Sequence, residues 1–163
     1  MKVRLVSLII LCFYVSGYAQ LYDDDIRLQV LENDIPEKVF VFGKWNEKDG
    51  TETHLNYLGK ITSHDSEIFK IMTSSWFWGL TKKATNIILV YTNDNKLLGN
   101  YYLDSSCVLP NGIKNNKLLF KQSDCNGCSN NVAEINIYNG KPGPFYLGCK
   151  SGKGSLFSFY QTL

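Results

Sequence analysis

The sequence has little of what marks an enzyme or a nucleic-acid-binding protein. It contains only two histidines, His54 and His64, and no Gly-x-Ser-x-Gly motif that would set a nucleophilic serine on a strand-to-helix turn. The longest cluster of basic residues is the pair Lys82-Lys83. Beyond the first 19 residues, no apolar run approaches the roughly 20 residues that a membrane-spanning helix needs. We therefore expect no nucleic-acid partner and no cofactor, and the sequence identifies no class of enzyme.

The N-terminus has the features of a secretory signal peptide. A basic start at Lys2 and Arg4 precedes the apolar run of residues 5–15, and small residues follow at Gly17 and Ala19. This arrangement is typical of a segment that signal peptidase removes, here after Ala19. The apolar run is too short for a membrane anchor. Residues 1–19 are therefore predicted to be removed, which leaves a secreted or periplasmic protein with no stable insertion into the membrane.

The chain that remains after this cleavage is electrically balanced. Its 144 residues are enough for one domain with a hydrophobic core. The whole sequence has a net charge of +2, but loss of Lys2 and Arg4 leaves 15 basic and 15 acidic residues. A net charge of zero gives no reason to expect binding to a polyanion or to an anionic membrane surface.

Bulky residues alternate with polar ones in short runs that turn-forming residues separate. Asp49-Gly50, Asn93-Asp94-Asn95 and Asn115-Asn116 are such turn signals, because Asn and Gly tolerate a positive φ. β-Branched and aromatic residues between turns favour antiparallel strands. We predict about nine short strands, over residues 39–45, 53–61, 67–80, 87–91, 97–103, 118–120, 132–138, 145–149 and 156–160.

The sequence leaves the secondary structure of two segments ambiguous. Residues 20–35 read as a polar N-terminal tail that leads into an edge strand or a short helix, ahead of a β domain at 36–163. Residues 67–78 have a helical spacing of apolar residues, but their Thr-Ser-Ser and Trp-Phe-Trp runs favour a strand. The predicted fold is a single-domain all-β antiparallel meander, closed as a sandwich or a barrel, with a small α+β fold as the alternative.

Four cysteines remain after removal of the signal peptide. An even number of cysteines in an oxidising compartment favours two structural disulfides, and the sequence does not choose among the three pairings. A redox-active Cys-x-x-Cys site would need a helix after its second cysteine, where a strand pattern follows instead. A structural zinc site usually has two close pairs, and only one is present. The disulfide candidates are Cys107, Cys125, Cys128 and Cys149.

The remaining candidate residues are the histidines and the tryptophans. His54 and His64 would lie near opposite ends of one hairpin, so no metal site is expected from them, although each has a nearby carboxylate that an extracytoplasmic enzyme could use. In a strand, the side chains of Trp76 and Trp78 lie on one face, and that of Phe77 lies on the other face. Together with Trp45 they are candidates for binding a carbohydrate or a small lipophile, while the simpler interpretation is that they fill the core. The predicted function is accordingly a non-enzymatic binding or structural module of unknown ligand.

Overall fold

In the computed structural model, residues 23–104, 108–120, 131–138, 140–148 and 154–162 are described. They form one helix, α1 (residues 23–33), and thirteen strands. The strands are β1 (Val39–Gly43), β2 (Glu52–Thr62), β3 (Ile68–Trp78), β4 (Lys83–Thr92), β5 (Leu97–Leu103), β6 (Gly112–Lys114), β7 (Lys117–Phe120), β8 (Asn131–Ala133), β9 (Ile137–Tyr138), β10 (Lys141–Pro142), β11 (Phe145–Gly148), β12 (Gly154–Phe157) and β13 (Tyr160–Gln161). The predicted all-β class is confirmed.

An antiparallel six-stranded sheet in the order β1-β2-β3-β4-β5-β13 is the centre of the fold. Its first five strands follow one another in the sequence, as the predicted meander requires. Tight turns connect the long strands, and residues with positive φ stand in them, including Gly79 and Lys82 between β3 and β4 and Asn95 between β4 and β5. The sheet is open, with β1 and β13 at its edges, so this part of the fold is not a closed barrel.

A β-bulge between Tyr57 and Gly59 changes the face to which β2 directs its side chains. Before the bulge, Leu55 and Tyr57 lie in the same core as α1, whereas Ile61 lies in the core on the opposite face. A strand without a bulge would send these three odd-numbered side chains to one face. The bulge therefore lets one long strand contribute to both cores.

The helix α1 covers one face of the sheet. Ile26, Val30 and Leu31 are buried against β2, β3 and β4, and they follow the spacing of one helix face. The chain leaves the helical region at Asp34, which has a φ of +47°. Of the interpretations left open for residues 20–35, the structure has the short helix, and its apolar face belongs to the core.

Smaller sheets cover the other face of the six-stranded sheet. They comprise β6-β7-β8, β9-β10 and β11-β12, and their apolar residues join the long strands in a second core. Tyr101 of β5 ties the two layers together, because its hydroxyl donates to the carbonyl oxygen of Gly143 at 2.7 Å and its ring contacts Phe145 edge-on. The layered arrangement is a sandwich, with a helix on its outer face.

The strand prediction for residues 67–78 is confirmed by β3, which runs from Ile68 to Trp78. The prediction of a single strand over residues 132–138 is wrong, because residues 134–136 separate β8 from β9. Glu134 lies at this break, exposed and paired with Lys117 of β7. All four disulfide candidates lie outside the described residues. Within the described residues, no helix is long and apolar enough to cross a membrane.

Candidate functional site

The three tryptophans named as candidate ligand-binding residues lie at one end of the six-stranded sheet. This end is formed by the turn that joins β3 to β4, residues 79–82, and we call it the turn end. Trp76 and Trp78 belong to the last residues of β3, and Trp45 follows the end of β1. The pairing of β1, β2 and β3 brings all three to the turn end, but it does not bring them to one face.

Trp76 and Trp78, here called the Trp pair, project from the face of the sheet on which α1 packs. Both have the same parity in β3 as Met72, which lies in the core beneath α1. Their rings stack on each other, with 5.7 Å between centroids and 24° between planes. Trp76 retains 43% of its surface exposed. The prediction that these two side chains share one face is confirmed. Their exposed aromatic surface lies outside the core and is available to a ligand.

Strand β4 supplies the two polar neighbours of the Trp pair. In the register of β3 and β4, Thr85 stands opposite Trp76 and Lys83 stands opposite Trp78. The indole Nε1 of Trp78 donates to Thr85 Oγ1 at 3.2 Å, which fixes the orientation of the ring. The Lys83 ammonium lies 5.4 Å from the centroid of the Trp78 ring, a cation–π contact. The Trp pair is thus held on β3, is hydrogen-bonded to β4, and has a hydroxyl and a positive charge at its rim.

Trp45 lies on the opposite face and has a different setting. Its indole Nε1 donates to the carbonyl oxygen of Gly79 at 2.9 Å, so it joins the β1–β2 connection to the turn end. The Lys82 ammonium lies 5.3 Å from the Trp45 ring centroid and 5.2 Å from that of Phe77. Trp45 is half-buried in these contacts. Trp45 therefore connects the β1–β2 connection to the β3–β4 turn, and it is separate from the Trp pair.

His54 is paired with a carboxylate beside Trp45. Its Nε2 lies 2.6 Å from Glu52 Oε1, and the other carboxylate oxygen accepts a hydrogen bond from the backbone N–H of Trp45 at 3.3 Å. The hydrogen bond with His54, reinforced by that from Trp45, holds the pKa of Glu52 below its usual range. The Phe77 ring packs edge-on against the imidazole with 4.9 Å between centroids. This cluster joins β2 and β3 to the β1–β2 connection at the turn end.

His64 lies at the far end of the β2–β3 hairpin, in the turn that follows Thr62. Ten residues separate the two histidines, and an extended strand of that length spans roughly 33 Å, so His54 and His64 do not form a joint site within one chain. His64 lines a cleft of about 280 Å³ together with Asn116 and Glu134. Lys117 Nζ lies 2.7 Å from Glu134 Oε2 and lowers the pKa of that carboxyl group. The second histidine therefore has a carboxylate neighbour of its own.

A second cleft lies at the β5 edge of the fold, near β13. The cleft, of about 230 Å³, lies between Leu98, Phe159 and the β9–β10 turn. In the part of the chain that the structure describes, no three His, Cys, Asp or Glu side chains come close enough together to hold a metal ion. Tyr102 and Tyr160 form a more exposed aromatic pair, 57% and 56% exposed, but their rings meet edge-on at 73°, whereas the rings of the Trp pair are stacked at 24°.

Lys83 and Thr85 were missed by sequence reasoning. Alternation within β3 is enough to place Trp76 and Trp78 on one face, but the neighbours of the Trp pair depend on the register of β3 against β4. The turn at residues 79–82 was the available signal, because it fixes which residues of the two strands face each other. Comparisons of the chain with protein-family models, with curated proteins and with solved structures gave no match.

Proposed function

We propose that the protein is an exported, non-enzymatic binding module whose ligand is a carbohydrate held on the Trp pair. The observation that carries the proposal is the stacking of Trp76 and Trp78 outside the core, with Trp76 43% exposed. Aromatic rings offer a sugar a flat apolar surface for its C–H groups, and their few rotatable bonds keep the entropic cost of binding low. Export fits this role because glycans are abundant outside the cytoplasm.

The position of the Trp pair on β3, which is paired with β4, supports binding further. Side chains on strands are held more rigidly than those on loops, and the hydrogen bond from Trp78 to Thr85 fixes one ring before a ligand arrives. The pair stands on an open sheet face with polar neighbours. A lipophile would favour an enclosed apolar pocket that covers most of its surface, whereas a sugar presents hydroxyl groups to water on the side away from the rings. The arrangement therefore suits a carbohydrate better than a lipophile.

The test is isothermal titration calorimetry of the mature protein against a panel of neutral and acidic oligosaccharides. Trp76→Ala is expected to weaken binding about tenfold or more, since tryptophans at binding sites commonly contribute over 1.4 kcal/mol. Tyr146→Ala is the matched control, because Tyr146 is also an exposed aromatic residue, at 57%, and lies on the separate sheet β11-β12. It should leave the affinity unchanged. Absence of binding to every oligosaccharide, or equal losses in the two variants, would contradict the proposal.

A second candidate function is an extracytoplasmic enzyme that uses a histidine and a carboxylate as proton-transfer groups. The observation that favours it is the cleft of about 280 Å³ that His64 and Glu134 line. Replacement of both His54 and His64 by alanine would abolish such an activity in a screen with chromogenic glycoside, ester and peptide substrates. An activity that survives the double replacement would exclude both histidines from catalysis.

A further inference from the structure

The charge at the rim of the Trp pair indicates which kind of sugar it holds. We infer that the ligand is an acidic sugar, a uronic acid residue, whose carboxylate pairs with Lys83 while its ring stacks on the Trp pair. The inference rests on the proposed carbohydrate binding and adds the chemical class of the sugar and its specificity-determining residue.

Lys83 is placed for this role by the register of the sheet. It lies directly opposite Trp78, and its ammonium group stands 5.4 Å from the centroid of that ring. The negative face of the indole holds the ammonium near the rim of the platform, so little further side-chain freedom is lost when an anion binds. A carboxylate attached to a stacked sugar ring can therefore form a charge-assisted hydrogen bond with Lys83.

The positive charge of Lys83 is not neutralised by the part of the chain that the structure describes. Neither the lysine and arginine salt bridges formed there nor the contact between His54 and Glu52 includes Lys83. The residue is exposed, so its ammonium is accessible to an anionic ligand.

The neighbouring lysine is used differently, and it therefore provides an internal comparison. Lys82 stands over Trp45 and Phe77 on the other face of the sheet, close enough to Glu52 to help lower the pKa of that carboxyl group. The last residue of the turn and the first residue of β4 thus place one positive charge on each face. Only the charge of Lys83 reaches the Trp pair.

Thr85 adds a hydroxyl group beside the stacked rings. Its oxygen accepts the hydrogen bond from Trp78 Nε1, and its own proton can be donated to a sugar oxygen. A neutral sugar can use this hydroxyl and the rings alone. The carboxylate of a uronic acid adds the interaction with Lys83, so the Trp pair should bind both classes and prefer the acidic one.

The experiment compares ligands that differ in charge and by one methyl group on the carboxyl. Oligomers of galacturonate, glucuronate and mannuronate are titrated by calorimetry into the mature protein, each beside its neutral methyl ester. Because an ion pair at an exposed rim is weak, we expect the acid to bind about two- to fivefold more tightly than its ester at about 50 mM salt. This preference should shrink at about 300 mM salt, where screening is stronger.

Two lysine variants separate the inference from the function on which it rests. Lys83→Gln should bind acid and ester equally well, while Lys82→Gln should keep the preference of the unaltered protein. Binding of neutral sugars without preference for any uronate, or a preference that Lys83→Gln retains, overturns the inference and leaves carbohydrate binding intact. Absence of binding to acidic and neutral sugars alike overturns both.

Discussion

The attachment of α1 to the sheet can be measured with two substitutions of the same residue type. Leu31 is 1% exposed and packs in the core beneath the helix, whereas Leu28, three residues earlier, is 41% exposed. Leu31→Ala removes three buried carbon atoms, which is about 2.4 kcal/mol of transfer free energy. The cavity left behind raises the loss in the free energy of unfolding to about 3 to 4 kcal/mol. Leu28→Ala leaves no cavity and should cost at most about 1 kcal/mol.

Urea unfolding, followed by tryptophan fluorescence and by far-ultraviolet circular dichroism, provides both free energies. The two variants share helix, residue type and replacement, so their difference reports burial rather than helix propensity. We expect a difference of at least about 2 kcal/mol, with similar denaturant slopes. Equal losses, or a loss below about 1 kcal/mol for Leu31→Ala, would show that the helix does not pack on the sheet and that this reasoning is wrong.

Further predictions concern the layers, the turn end and the cysteines. Tyr101→Phe removes the hydrogen bond to Gly143 and should lower the free energy of unfolding by about 1 to 2 kcal/mol in the same urea assay, with little change in the aromatic packing. Since the pKa of Glu52 lies below 4.5, its pairing with His54 stabilises the fold above that pH and is lost as the pH falls through the lowered value. An acid titration of tryptophan fluorescence should therefore contain a transition that the Glu52→Gln variant lacks. Identical titration curves for the unaltered protein and the variant would refute this prediction. For the four cysteines of the predicted mature chain, native and reduced masses should differ by the four hydrogens of two disulfides, whereas free thiols with a bound zinc would contradict this prediction.

The helix shows why the sequence left residues 20–35 ambiguous. Ile26, Leu28 and Val30 alternate as they would in a strand, and three consecutive aspartates precede them. The structure instead buries Leu31 and exposes Leu28, which is the spacing of a helix face. With so few apolar residues, both periods fit the segment, and only the presence of an apolar sheet face beneath it decides between them. The long strands were predictable because alternation and turn residues agreed along their whole length.

The candidate site was predictable only within one strand. A period of two relates Trp76 to Trp78, but it cannot relate either residue to Trp45, which lies in another part of the chain. Grouping the three as one ligand-binding set required knowledge of how the strands pair. The structure separates them by face, and it adds Lys83 through strand register. The chemical character of the site is therefore a property of the sheet rather than of any contiguous segment.

The connectivity of the six-stranded sheet has a consequence for the order of folding. Strands β1 to β5 are joined by short local connections, which close rapidly, whereas the last strand pairs Tyr160 with Asn100, across 60 residues of chain. During synthesis, which proceeds from the N-terminus, the first five strands can pair before the C-terminal residues have been added. Until β13 arrives, the outer edge of β5 offers unpaired backbone groups to any other strand. The pairing of β13 with Gly99 and Asn100 therefore covers part of an edge that would otherwise be open to pairing with another chain.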